Sequence, residues 1–295
     1  MPATFPRGRF LWHELLTTDL EAAAAFYSQV AGWASPTRTD SPVDRVWAIV
    51  DTPLTMVTRL GTEARRLGSR PSWVPYVAVS DVDATVRRAQ GLGARVYVPP
   101  ADNPRGRFAI LADSHGAAFA VCRPARRQPL GSDAPAVGGF SWHELAAPDW
   151  RQAWEFYQAL FAWEHAASIE MGAGNTYWMF QRAGGTGPIG GFYNLAATSA
   201  APPRWLCYIR VPDADQAAET VARAGGSIVS GPLDVPGGDR VAAGVDPQGA
   251  AFAVHARAAR PAAVAPPRAK RTKSKQSKPK KKPRRAPRKR GTRRR

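Results

Sequence analysis

A chain of 295 residues is long enough for two ordinary domains, and with 27 Pro and 26 Gly it is too rich in helix breakers for a coiled coil. Its formal charge of +18 is unevenly placed: residues 257–295 hold 19 of the 41 Lys and Arg and no acid, which leaves a body of 22 Arg against 23 acids. No long apolar run predicts a membrane span, the opening MPATFPRGRF lacks the order of a secretory leader, and Cys122 and Cys207 suggest neither a disulfide framework nor a zinc site, so a reduced, cytoplasmic chain is expected.

In chain order, Phe10–Leu16 alternates apolar and polar side chains as a half-buried strand does. Asp19 then caps a helix whose Leu20, Ala23, Tyr27, Val30 and Ala31 share one face before Gly32. Val74–Val79 predicts a second strand, with Asp81 capping a helix that carries Val82, Val86 and Ala89 and stops at Gly93. The runs VWAIV, LTMVTRL, ARVYV, RFAILA and AAFAV predict further short strands.

The plan then repeats. At an offset of 130, Phe10–Trp33 and Phe140–Trp163 share 10 of 24 residues, and DSHGAAFAV from Asp113 shares 7 of 9 with DPQGAAFAV from Asp246. The expected organisation is a first domain at 5–125, a linker at 126–135, a second domain at 136–256 and a tail at 257–295. Each domain is read as two strand–helix–strand–strand–strand modules, an α+β class.

The patterns W-x-E-L-x-x-x-D-x-x-x-A-x-x-F-Y and D-x-x-G-A-x-F-A, each present twice, resemble the vicinal oxygen chelate superfamily of glyoxalase I, bleomycin-resistance proteins and extradiol dioxygenases. The resemblance implies tandem domains of two βαβββ modules, each domain curling its sheet into an open trough where a divalent metal binds substrate oxygens. It places the family's ligand positions on Trp12 and Trp142, Val74 and Leu206, and Ala120 and Ala253, none of which offers a lone pair suited to a metal. The expectation is therefore a cofactor-free protein that binds a small organic ligand. A metal-dependent lyase or dioxygenase stays open as the alternative if the register slips by one and brings His13 and His143 inward; such a slip would turn the whole strand over. The five histidines show no HxH or HExxH spacing.

Glu14 and Glu144 share parity with Trp12 and Trp142. Each is a candidate general base in an apolar groove, or else a structural partner of Arg107 or Arg240. Trp12, Trp47, Tyr76, Trp142, Trp178 and Tyr208 are the candidate ligand-binding walls, whereas Tyr27 and Tyr157, beside Phe26 and Phe156, read as core. The segment GGTGPIGG at 184–191 lacks the Lys-Ser/Thr of a phosphate loop and reads as a turn. A body that merely spaces the tail is a third reading.

The tail has no aromatic or large aliphatic residue after Val264, so it is expected to be disordered and to attract DNA or RNA phosphates without sequence preference. Its contacts would be Lys270, Arg271, Lys273, Lys275, Lys278, Lys280, Lys281, Lys282, Arg284, Arg285, Arg288, Lys289 and Arg290, with nucleoid association as the corollary. No amphipathic helix or lipidation motif favours a membrane. Tandem copies suggest a monomer with an internal pseudo-dimer, or a weak homodimer.

Overall fold

The computed structural model describes residues 7–34, 37–38, 44–49, 52–66, 68–125, 135–172 and 175–258. The first domain runs β1 (Phe10–Thr17), α1 (Leu20–Ala31), β2 (Thr37–Arg38), β3 (Asp44–Ile49), β4 (Thr52–Arg59), α2 (Thr62–Arg66), β5 (Ser72–Ala78), α3 (Val82–Gly91), β6 (Arg95–Asn103), β7 (Gly106–Ala112) and β8 (Ala118–Pro124). The second runs β9 (Phe140–Ala147), α4 (Trp150–Phe161), β10 (Glu164–Glu170), β11 (Thr176–Gln181), β12 (Gly190–Asn194), β13 (Arg204–Arg210), α5 (Ala214–Arg223), β14 (Ser227–Asp234), β15 (Arg240–Val245) and β16 (Ala251–Ala256). The strand–helix–strand–strand–strand plan therefore occurs four times, and the fold is α+β.

Each domain forms its own eight-stranded sheet, ordered β2-β3-β4-β1-β5-β8-β7-β6 and β10-β11-β12-β9-β13-β16-β15-β14. The modules join where β1 runs antiparallel to β5 and β9 to β13, so modules pair within a copy. Local sequence explains the helices. Asp19 accepts from the amides of Glu21 and Ala22, and Asp149 accepts from those of Arg151 and Gln152, which satisfies first-turn donors. Helix α1 ends on Gly32 in the left-handed conformation (φ 68°); α4 ends on Ala162 in the same conformation (φ 57°), where a Cβ is unfavourable.

The helices pack between the two domains, and each large core is shared. One core joins Leu20, Phe26 and Tyr27 of α1 to Ala217 and Val221 of α5 and Phe252 of β16. The other joins Val82 and Val86 of α3 to Phe156, Tyr157 and Leu160 of α4. The repeated sequence motifs meet across this pseudo-twofold. Tyr27 donates to Asp246 at 3.2 Å and accepts from the Trp73 indole at 2.9 Å. Tyr157 donates to Asp113 at 3.0 Å and accepts from Trp205 at 3.0 Å. Trp33 donates to the carbonyl of Gly138 at 2.8 Å, and Trp163 to that of Gly8 at 2.7 Å. Tyr27 and Tyr157 are fully buried, in keeping with their reading as core.

Among the described residues no helix is long and apolar enough to cross a membrane. The expectations for the tail, residues 257–295, fall outside the described residues from position 259 onward, as do those for most of the linker.

Candidate functional site

The sheets turn their other faces outward as two troughs. Trp12, Leu16, Val74, Tyr76, Phe108, Ile110, Ala120 and Cys122 cluster in the first, and Trp142, Leu206, Tyr208, Val241, Ala243, Ala251 and Ala253 in the second. The six positions to which the resemblance assigns ligands, Trp12, Val74, Ala120, Trp142, Leu206 and Ala253, therefore lie in the troughs, where they present carbon or an indole.

His13 and His143 lie on the opposite face, so the one-residue slip does not occur. Each is 5 % exposed; their Nε2 atoms are 2.7 Å apart, and each ring stacks on the partner domain's phenylalanine, His13 on Phe140 and His143 on Phe10, with centroids 3.6 Å apart in both cases. One imidazole must donate and the other accept, which excludes a pair protonated on both rings. Burial lowers the pKa of His143 to about 3, and burial, with the repulsion a protonated His143 would add, holds His13 well below its ordinary value, so near neutral pH both rings are uncharged. Among the described residues no group of three or more His, Cys, Asp or Glu is placed to hold a metal ion. The donor set at the family's metal position does not fit a divalent cation.

The first trough opens into a cavity of about 1790 Å³ lined by Trp12, Glu14, Met56, Tyr76 and Phe108 among others. Glu14 is 4 % exposed, and it accepts from the Tyr76 hydroxyl and the Thr58 hydroxyl, each at 2.5 Å. Burial and then the Glu14 charge push the Tyr76 phenol well up, so it remains a donor. The Arg105 guanidinium stands 5.2 Å from the centre of the Trp12 ring, a cation–π arrangement. Cys122 lies in the same cluster, and burial pushes its thiol up to about 12, which leaves it un-ionised.

The second trough is furnished differently. Glu144 accepts from Tyr177 at 2.9 Å and Tyr208 at 3.1 Å and is also hydrogen-bonded by Tyr193. Burial pushes the Glu144 carboxyl up, opposed by the bonds from Tyr177 and Tyr208 and by the charge of Arg204. The Trp142 indole donates to the Tyr177 oxygen at 2.7 Å. Gly191 is required here, because a Cβ on it would run into the Tyr177 ring, and Gly190 is similarly packed beneath Phe180. The GGTGPIGG segment is thus the connection into β12 that its sequence suggested.

Three sequence expectations need correction or placement. Trp178 does not line a trough: it stacks on Trp150 of α4 (5.0 Å) and on His165 (3.8 Å), on the core face. Its neighbour Tyr177 faces the trough instead. Arg107 and Arg240 are not the structural partners of the glutamates, since Arg107 binds Asp83 and Asp102, and Arg240 binds Asp215 and Asp234. Trp47 sits in β3, and its side chain lies outside those described. Thr58, Tyr177 and Tyr193 were missed by sequence reading.

Residues 13–122 match a family described as a glyoxalase-like domain, and residues 139–254 match the Glyoxalase/Bleomycin resistance protein/Dioxygenase superfamily. A Mycobacterium bovis protein named "Putative glyoxylase CFP32" is 32% identical over 253 residues, covering 82% of this chain and 92% of its own. The chain belongs to the glyoxalase superfamily. A second relative of this family member, the anthracycline biosynthesis protein DnrV of Streptomyces peucetius, is 43% identical over 131 residues, 44% of this chain and 45% of the relative. Among solved structures, the Mn(II)-bound glyoxalase from Novosphingobium aromaticivorans aligns over 85% of this chain and 82% of its own, with TM-score 0.56 and 17% identity. A homoprotocatechuate 2,3-dioxygenase variant from B. fuscum aligns over 88% of this chain and 74% of its own, with TM-score 0.61 and 16% identity. These likenesses establish the vicinal oxygen chelate fold, in tandem.

Proposed function

We propose that this chain binds a small organic ligand in its first trough without a metal, and that residues 257–295 hold DNA or RNA through phosphate contacts. The observation that carries the first part is that carbon stands at the positions the resemblance assigns to metal donors, around an open cavity of about 1790 Å³ whose lining includes the buried carboxylate of Glu14. Apolar walls with a few convergent polar groups are what small-molecule sites commonly use. Trp12 and Tyr76 supply such walls, and the kinship with anthracycline biosynthesis proteins favours a planar aromatic compound. If chemistry accompanies binding, Glu14 is the base to test, with Glu144 its counterpart in the second trough.

Elemental analysis of the full chain, with titration of hydroxylated anthraquinones before and after EDTA, tests the first part. The expected result is binding unaffected by chelation; one tightly held divalent ion per domain, with binding lost on its removal, overturns it. The second part predicts that log K for duplex DNA falls against log salt with a slope near −7 if about eight phosphates are neutralised. A chain ending at residue 256 should lose that binding, and retained binding refutes the assignment.

A further inference from the structure

The two copies differ at the rim of the first trough's cavity. Strand β6 carries one residue more than β7 at its middle: Val96 pairs with Leu111 and Val98 with Ile110, which leaves Tyr97 as the extra residue of a bulge. Strand β14 keeps the same bulge, with Ile228 on Gly244, Ser230 on Ala243 and Val229 between. A bulge re-aims the side chain it frees. Tyr97 is 56 % exposed, lies outside both large cores and lines the cavity, where a ring can serve a ligand. Only the first copy places an aromatic residue there.

The turn from β6 to β7 differs as well. Its anchor is common to both copies: Asp102 pairs with Arg107 across the strands, as Asp234 does with Arg240. Between these anchors the first copy has Asn103-Pro104-Arg105-Gly106 and the second Val235-Pro236-Gly237-Gly238-Asp239. The Asn103 side chain accepts from the amides of Arg105 at 2.8 Å and Gly106 at 3.0 Å, and the Arg105 carbonyl accepts from the Ala125 amide at 2.8 Å, so the turn is pinned. It holds the Arg105 guanidinium over the Trp12 ring and 3.5 Å from the Met56 sulfur, with no carboxylate partner among the described residues. Among the described residues six arginines line the cavity against two acids, Glu14 and Asp102, and Asp102 is bound by Arg107. Arg70 and Arg123 join Arg105 in having no carboxylate partner among the described residues. A concave wall of one sign concentrates ligands of the other.

We propose that the first trough takes a planar aromatic acid whose ring stacks on Tyr97 and whose anionic group pairs with Arg105. The inference rests on the binding reading above and adds the ligand's charge and two residues that recognise it. Arg105 is exposed at the rim while Glu14 is buried, so the anion stays at the mouth rather than beside a like charge. Tyr97 lies beside Ile110 and Arg105 beside Gly106, four strand positions and so roughly 13 Å apart. A fused three-ring acid covers that span with the reach of the two side chains.

The test titrates the full chain with matched pairs, anthraquinone-2-carboxylate and anthracene-2-carboxylate each against its carboxamide, followed by tryptophan fluorescence and calorimetry. Each acid should bind about fivefold tighter than its amide, the upper end for an exposed ion pair, and the gap should close as salt is raised. Arg105→Gln should bring each ratio close to one with amide binding unchanged. Tyr97→Ala should weaken acid and amide alike by about threefold or more, and Tyr97→Phe should restore both. Equal affinity within each pair, while the amides still bind, overturns the charge assignment and leaves the binding reading standing; failure of every compound, hydroxylated anthraquinones included, overturns both. A ratio that survives in Arg105→Gln places the anion preference in the tail or on another arginine and refutes the role of Arg105, and unchanged affinity in Tyr97→Ala refutes the stacking. Both side chains are exposed, so neither variant removes core packing, and superimposable thermal unfolding checks this.

Discussion

Lowering the pH from 7 to 5 should weaken this protein through the His13–His143 pair, and the size of the effect follows from its burial. His143 has its folded pKa at about 3 against 6.5 in an open chain. Because the folded value is depressed, the unfolded chain takes up the proton first. The stability is fully present above pH 6.5 and is lost as pH falls toward 3. Between pH 7 and 5 the linkage relation gives a loss of about 2 kcal/mol for this group alone, and His13, shifted the same way, adds to it. Asp113, Asp246 and Glu144 have raised folded values from burial, so they bias stability the other way as pH falls. Comparison with a His13→Gln/His143→Gln double variant cancels them, because two amides can keep one hydrogen bond but cannot titrate. Urea unfolding at pH 7, 6 and 5 should show the wild type losing at least about 2 kcal/mol more than the double variant. Parallel stability profiles for the two proteins would refute the argument that the pair is held neutral by burial.

Two further outcomes are expected. Ala162→Gly should raise stability by up to about 1 kcal/mol, because it places in the left-handed helix end of α4 the residue that α1 already has at Gly32; urea midpoints measure it, and no gain would mean that the added freedom of the unfolded chain cancels the relief. Trp178→Ala should cost about 2–4 kcal/mol through lost packing on Trp150 and His165. Its affinity for trough ligands should stay unchanged, and a selective loss of binding would return Trp178 to the site.

The fold was legible because its signals were local and duplicated. Capping aspartates at 19 and 81, the helix faces that follow them and the repeat at an offset of 130 each pointed to an element, and the structure places the matching caps at Asp149 and Asp213. The parity of β1 and β9 was equally clear, since their alternation separates Trp12 and Glu14 from His13. In β11 it was not: Tyr177, Trp178, Met179 and Phe180 form an unbroken apolar run, and a run without alternation does not say which side chains face the trough. The tyrosine shell of Glu144 was therefore unreadable, and so was the glycine at 191 that makes room for it. The contact of His13 with His143 was hidden for another reason. It depends on a symmetry axis between the copies, and the single hint was the same residue recurring at the same spacing.

The crossed cores carry a consequence for the chain as a whole. Because Tyr27 needs Asp246 while Tyr157 needs Asp113, either half made alone would leave an oily helix face and a carboxylate without their mates. The missing surface is one that a sister half also presents, so a severed half has a ready remedy in self-association. Cleavage at the connector should accordingly yield fragments that stay together until denaturant parts them.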